Sequence, residues 1–288
     1  MNISLKSLFF ITITAISTSL FYSCGDKNNS GGVAANTSKE NDIAWNTAQA
    51  DTIYYLENDK TKPSCSLELN YVYPQTFSDQ EILSKIQREI ALAFFESAKY
   101  TGLPAKQAAN IYIEDYVANY RNEAGKFFAR EKTSHVEDYY SFSKKIESTL
   151  IFSKANIISY QAKSYDDKGG ANSSRMYKNL VLDLSTGQPI TEYDIFLPEY
   201  KHALNKILTD KIIAQSNVQT MDSLLDLGYW CVEDLDSNNN FFVNEEGITY
   251  IYNEGECAAP SIGAIIVPIS FTELREILNE ESILSSLF

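Results

Sequence analysis

The sequence predicts an α+β fold in which antiparallel sheets carry helices on one face. Segments of alternating apolar and polar residues, rich in Tyr, Ile and Val, read as strands. Between them lie helical patterns with start signals. Strands and helices also lack the regular strand–helix–strand spacing of a parallel fold, which argues against an α/β architecture.

In chain order, Asp51–Glu57 (DTIYYLE) and Cys65–Tyr73 (CSLELNYVY) alternate as strands. Ser78-Asp79-Gln80-Glu81 matches a capping box, in which a side chain accepts from the first free backbone amides of a helix. Behind it Ile82, Ile86, Ile90, Phe94 and Ala98 recur at helical spacing. A second helix is expected from Pro104 to about Ala124, since Pro suits a helix start. Its aromatic side, with Tyr112, Tyr116 and Tyr120, reads as core, with a sugar-stacking face as the alternative. The period then becomes two: Tyr139–Phe152 and Asn156–Tyr165 form an antiparallel pair around Ser153-Lys154-Ala155, and Met176–Leu184 extends the sheet to the turn at Ser185-Thr186-Gly187. Helices follow over Pro198–Gln215 and Val218–Leu227, then a hairpin of Phe241–Val243 and Ile248–Tyr252 across Asn244–Gly247. The strand Ile262–Phe271 and the helix Thr272–Leu278 close the order.

Lys6 followed by the apolar, hydroxyl-bearing run Leu8–Tyr22 describes an export leader, too short for a comfortable membrane span. It ends at Ser23-Cys24, a loose lipobox in which the Cys24 thiol would receive the acyl chains of a bacterial lipoprotein. The expected organisation is a leader over 1–23, a polar Asn/Ser/Gly-rich tether over 24–46, and two modules, 47–183 and 184–288, packed as one unit. The expected location is the cell envelope, lipid-anchored, on the outer membrane if the cell is Gram-negative, facing periplasm or surface.

The 288 residues carry 24 Lys+Arg against 38 Asp+Glu, a net charge of −14, and the mature chain without Lys6 has −15. With no basic cluster, a nucleic-acid partner is excluded, because binding there depends on neutralising phosphates. Nucleophile-elbow, Cys-x-x-Cys and phosphate-loop motifs are missing, and the only histidines, His135 and His202, read as surface or half-buried. The adjacent acids Asp166-Asp167 and Glu245-Glu246 read as solvated turns rather than a glycosidase pair. Export permits disulfides. Cys231 and Cys257 flank the late hairpin and form the favoured pair, leaving Cys65 as a small buried hydrophobe.

Cys65–Lys99, a strand ending in Tyr73-Pro74 before an amphipathic helix, resembles the non-catalytic N-terminal module of PdaC-type peptidoglycan deacetylases. From about residue 160, Tyr165…Gly169-Gly170-Ala171-Asn172, Leu182-Asp183-Leu184-Ser185-Thr186-Gly187 and Thr191-Glu192-Tyr193-Asp194-Ile195-Phe196 resemble the extracytoplasmic domain of RsiV, the lysozyme-sensing anti-sigma factor. The late hairpin and the strand–helix ending fit the same pattern. The chain departs from it at Asn172, where the family has His, and nothing in it resembles the deacetylase metal site.

The resemblance implies a non-catalytic binding module, with lysozyme or a similar cationic protein as partner. The alternative is a peptidoglycan or other glycan ligand, and an unrecognised enzyme site is a distant third. No cofactor is expected. The candidate contact loop is Lys168, Gly169, Gly170, Asn172 and Arg175, a small basic spot on an acidic protein. Asp234, Asp236, Asn238, Asn240 and Glu245 fall at positions 1, 3, 5, 7 and 12 of a calcium loop, but Asn239 replaces its glycine, so the bland reading as a polar loop is preferred.

Overall fold

The computed structural model describes residues 41–128, 140–169, 173–231 and 235–288. The leader, Cys24, His135, Gly170, Asn172 and Asp234 lie outside them.

Five strands form one sheet in the order β1-β2-β3-β4-β5: β1 (Ile43–Tyr55), β2 (Ser64–Phe77), β3 (Phe142–Lys154), β4 (Ile157–Asp167) and β5 (Ser173–Asp183). A second, antiparallel sheet holds β6 (Phe241–Val243), β7 (Gly247–Tyr252) and β8 (Ile265–Ser270). Among the described residues the α-helical segments are α1 (Gln80–Phe95), α2 (Ala105–Phe128), α3 (Glu192–Ile195), α4 (Lys201–Gln215), α5 (Met221–Asp226) and α6 (Phe271–Leu274). The fold is α+β.

One pairing departs from the expectation of antiparallel sheets. β2 and β3 run parallel, with Cys65 opposite Phe142 and Asn70 opposite Glu147. The chain leaves β2, makes α1 and α2 on one face, and re-enters beside β2 in the same direction. A crossover of that length is what a parallel pair requires.

β1 begins within the segment expected to be tether. Its register with β2 shifts at Ala44/Trp45, so a bulge breaks the alternation that would have announced it. Asn41 ties this entry down by donating to Ile157 O (2.9 Å) and accepting from Asn156 N (2.8 Å). The β3–β4 turn falls one residue later than its polar residues suggest, on Ala155 and Asn156 at φ 54° and 62°, as a two-residue hairpin turn demands. In α1 the capping residue is Asp79 rather than Ser78, with its carboxylate accepting from Glu81 N (2.9 Å) and Ile82 N (3.0 Å).

α1 and α2 cover one face of the five-strand sheet, burying Ile86, Ile90, Phe94 and Ile113 against Leu67, Leu69, Tyr71, Ile158 and Tyr160. The second core gathers β6–β8, α4 and α6 with Phe152, Ile157 and Val181 from the first sheet. Ile157 and Ile158 therefore point into different cores, and β4 is buried on both faces over residues 157–160. Across that junction Ser159 Oγ donates to Val243 O (2.7 Å) and accepts from Val243 N (3.0 Å). Gly247 is needed where β7 approaches β8, since a Cβ there would lie 2.0 Å from Ile269 O.

Candidate functional site

The β4–β5 hairpin carries the predicted contact loop at its tip, and the structure describes Lys168, Gly169 and Arg175 of it. Gly169 has φ 79° and its amide donates to the Asp167 carboxylate (2.9 Å). Lys168 lies 3.9 Å from Glu123 on α2. Arg175 sits opposite Tyr165 in the register, with its guanidinium 5.3 Å from that ring centre and 3.6 Å from the Glu254 carboxylate. The basic spot is thus paired with acids on both sides.

The acidic loop after residue 235 works as a seam. Asn240 accepts from Asn179 N (2.9 Å) and donates to Tyr177 O (3.0 Å) and Ile251 O (2.9 Å), joining β5 to β7. Asn238 donates to Ile251 O and Glu256, Asp236 accepts from Asn205, and Glu245 pairs with Lys154 (2.5 Å) in the β6–β7 turn. Of the side chains spaced like calcium ligands, Asp236, Asn238, Asn240 and Glu245 are spent on these partners and Asp234 lies outside the described residues, and among the described residues no group of three His, Cys, Asp or Glu could hold a metal. The same seam closes over Glu192, whose buried carboxylate accepts from Tyr200 Oη (3.0 Å), Ser237 Oγ (2.6 Å) and Asn239 N (3.1 Å).

Cys231 and Cys257 are disulfide-bonded, with Cα atoms 4.8 Å apart and a sequence separation of 26. Cys65 is fully buried, and burial pushes its thiol up to about 12. It is therefore inert as a nucleophile. His202 is exposed on α4.

Two surface features escaped the reading of the sequence. The first surrounds the disulfide. Leu227 and Trp230 are both 52% exposed, in the segment that also holds exposed Asp222 and Asp226. Charge is concentrated in the same half of the chain. Residues 184–288 hold 17 of the 38 acids but 4 of the 24 bases, a net −13, while residues 1–183 net −1. Counting charge by half would have found this.

The second is a cleft of about 540 Å³ between α2 and the start of β3 and end of β4, with Lys168 on its rim. Tyr112 and Tyr116 line it from α2 and are half-buried, while Tyr120 below them is core. Lys144 of β3 faces Asp166 of β4 across the register, 3.5 Å apart. Burial works against the Lys144 ammonium, but the Tyr112 hydroxyl and the Asp166 carboxylate outweigh it and hold its pKa above the ordinary lysine value. Burial likewise raises the Tyr116 phenol, helped by Asp166. Tyr116 Oη and Asp166 Oδ1 are buried and have no hydrogen-bond partner. The Tyr face was visible at helical spacing, but its meeting with Lys144 and Asp166 depends on strand register and was not.

Residues 193–272 match the DUF3298 family, described as a protein of unknown function. A crystal structure of a DUF3298 family member from Bacteroides fragilis NCTC 9343 is similar over 86% of this chain and 98% of that one, with a TM-score of 0.80 and 27% identity. A DUF3298 family protein from Pseudomonas aeruginosa PAO1 shares the fold, with a TM-score of 0.57 and 14% identity over 86% of this chain and 98% of that chain. No curated protein matches the sequence. Among the described residues no helix is long and apolar enough to cross a membrane.

Proposed function

We propose that this chain is a lipid-anchored cell-envelope lipoprotein, attached through Cys24, that binds rather than catalyses, and that its partner is a cationic protein of the lysozyme class. The observation that carries this reading is the −13 charge of residues 184–288, in which the segment 222–230 exposes Leu227 and Trp230 together with Asp222 and Asp226. An acidic field steers a cationic protein inward, and an exposed Trp in an acidic segment has the make-up of an interface anchor. The resemblance of residues 165–196 to the RsiV extracytoplasmic domain supports the same partner. The disulfide suits an exported chain.

The test is a titration of the chain from Gly25 onward against a cationic lysozyme at low and physiological salt. Binding should persist at physiological salt and weaken by about tenfold or more in Trp230→Ala, the range for an interface anchor. A complex seen only at low salt reduces the finding to unspecific charge attraction, and a Trp230→Ala variant that binds as well as the parent removes the patch from the interface.

A further inference from the structure

We infer that the cleft between α2 and the β3–β4 edge is a saccharide site, in which Tyr116, Asp166 and Lys144 hydrogen-bond sugar hydroxyls and the tyrosine rings take the apolar sugar face. This stands independently of the protein-partner reading.

The first ground is hydrogen-bond accounting. Buried polar groups in folded proteins are almost always paired, and an unpaired one asks for an explanation. Here two such atoms, Tyr116 Oη and Asp166 Oδ1, belong to side chains of different elements that line one cleft. Each lies beside a group that is already paired: Asp166 Oδ2 faces Lys144, and Tyr112 is held by Lys144. One oxygen that can donate or accept and one acceptor are thus left over, flanking an ammonium donor. A sugar hydroxyl both donates and accepts, so a pair of neighbouring hydroxyls satisfies all three groups.

The second ground is charge. Asp115, Glu123 and Asp166 in the lining are balanced by Lys126, Lys144 and Lys168. A phosphate or a cationic side chain gains nothing from such a balance, whereas a neutral polyhydroxyl ligand needs local donors and acceptors without a net field. Asp115 is additionally fixed, accepting from Tyr100 Oη (2.6 Å) and pairing with Lys99, which anchors the Tyr100 end of the cleft. The third ground is shape. A cleft of about 540 Å³ with aromatic walls and a few convergent polar groups is of ligand size.

The experiment uses the detergent-solubilised full chain and three neutral tetrasaccharides, of N-acetylglucosamine, cellulose and starch type, followed by calorimetry and by two-dimensional NMR. At least one should bind saturably below about 10 mM, and Tyr116→Phe and Asp166→Asn should each weaken it about tenfold, the equivalent of one lost hydrogen bond. Trp230→Ala should leave sugar binding unchanged. Melting separates a ligand site from a structural one. Because Tyr116 Oη has no protein partner, Tyr116→Phe should keep or raise the melting temperature while losing the sugar. If no sugar binds, or if Tyr116→Phe binds as well as the parent, the inference fails. A Tyr116→Phe variant that melts lower without affecting sugar binding shows that an ordered water fills the gap, and overturns it as well.

Discussion

In residues 43–183 five strands of 11 to 14 residues form one sheet, and two long helices cover one of its faces. In residues 184–288 three strands of three to six residues form a second sheet, and a disulfide, a seam of asparagines and a glycine that admits β8 hold it. Long strands fix their own register through many ladder bonds and alternating faces. Strands of three residues cannot, so the second region relies on side-chain and covalent fastening. The charge follows the same division, −1 against −13. The near-neutral region, stabilised by its ladders, keeps two unpartnered polar atoms on side chains that line one cleft, while the acidic region spends Asn238, Asn240 and Glu192 on holding itself together.

Opening the disulfide tests this contrast most severely. Closing a loop of 26 residues is worth about 3–4 kcal/mol by the chain-entropy relation. Cys231→Ser with Cys257→Ser should cost about that much, measured by urea unfolding. Since Phe152, Ile157 and Val181 of the first sheet fill the second core, unfolding should remain a single transition. Two separated transitions would show that the regions fold independently and break the shared-core account.

The asparagine seam comes next. Asn240→Ala takes the acceptor from the Asn179 amide and one of two side-chain donors from each of Tyr177 O and Ile251 O, which Asn253 and Asn238 still serve, and this should cost about 1–2 kcal/mol at a part-buried junction. Gln49→Ala, whose amide reaches Asn70 on the exposed face of the first sheet, should cost less than about 0.5 kcal/mol. Comparable losses at the two sites would contradict the claim that the second sheet depends on side-chain fastening.

How much of this was legible follows from the kind of signal each part emits. Local periodicity and caps revealed α1, the β6–β7 hairpin and the strand core of β2, because those patterns are written within a few residues. The end of β1 was legible in the alternation from Asp51, its start was hidden near the bulge at Ala44/Trp45, and the parallel β2–β3 pairing was hidden by the absence of any local mark of strand direction. Cys231 and Cys257 were legible as flanks of a hairpin. The regular spacing of Asp236, Asn238 and Asn240 was equally visible, yet it reports a seam whose partners on β5 and β7 only the fold supplies. The Tyr112–Tyr116 face could be read, but Lys144 and Asp166 meet it only through the β3–β4 register.

The mildest test concerns α6 and its tie to α4. Glu273 accepts from Lys211 Nζ (2.6 Å) and from Ser270 N and Oγ, closing a capping box, and these donors, Lys211 first, lower its carboxyl to about 2 from 4.5. A carboxyl held below its unfolded value favours the folded state above the unfolded pKa and loses that advantage as pH falls towards the folded one. The contribution is therefore present at pH 6 and fades between about pH 4.5 and 2. Because the Glu273 side chain is 43% exposed, solvent screening limits the effect to about 0.5–1 kcal/mol. Glu273→Gln should lower stability by that amount at pH 6 and by less at pH 3, measured by urea unfolding at both. An equal loss at the two pH values would mean that the glutamate acts through packing alone, and would remove ion pairing from the fastenings of the acidic region.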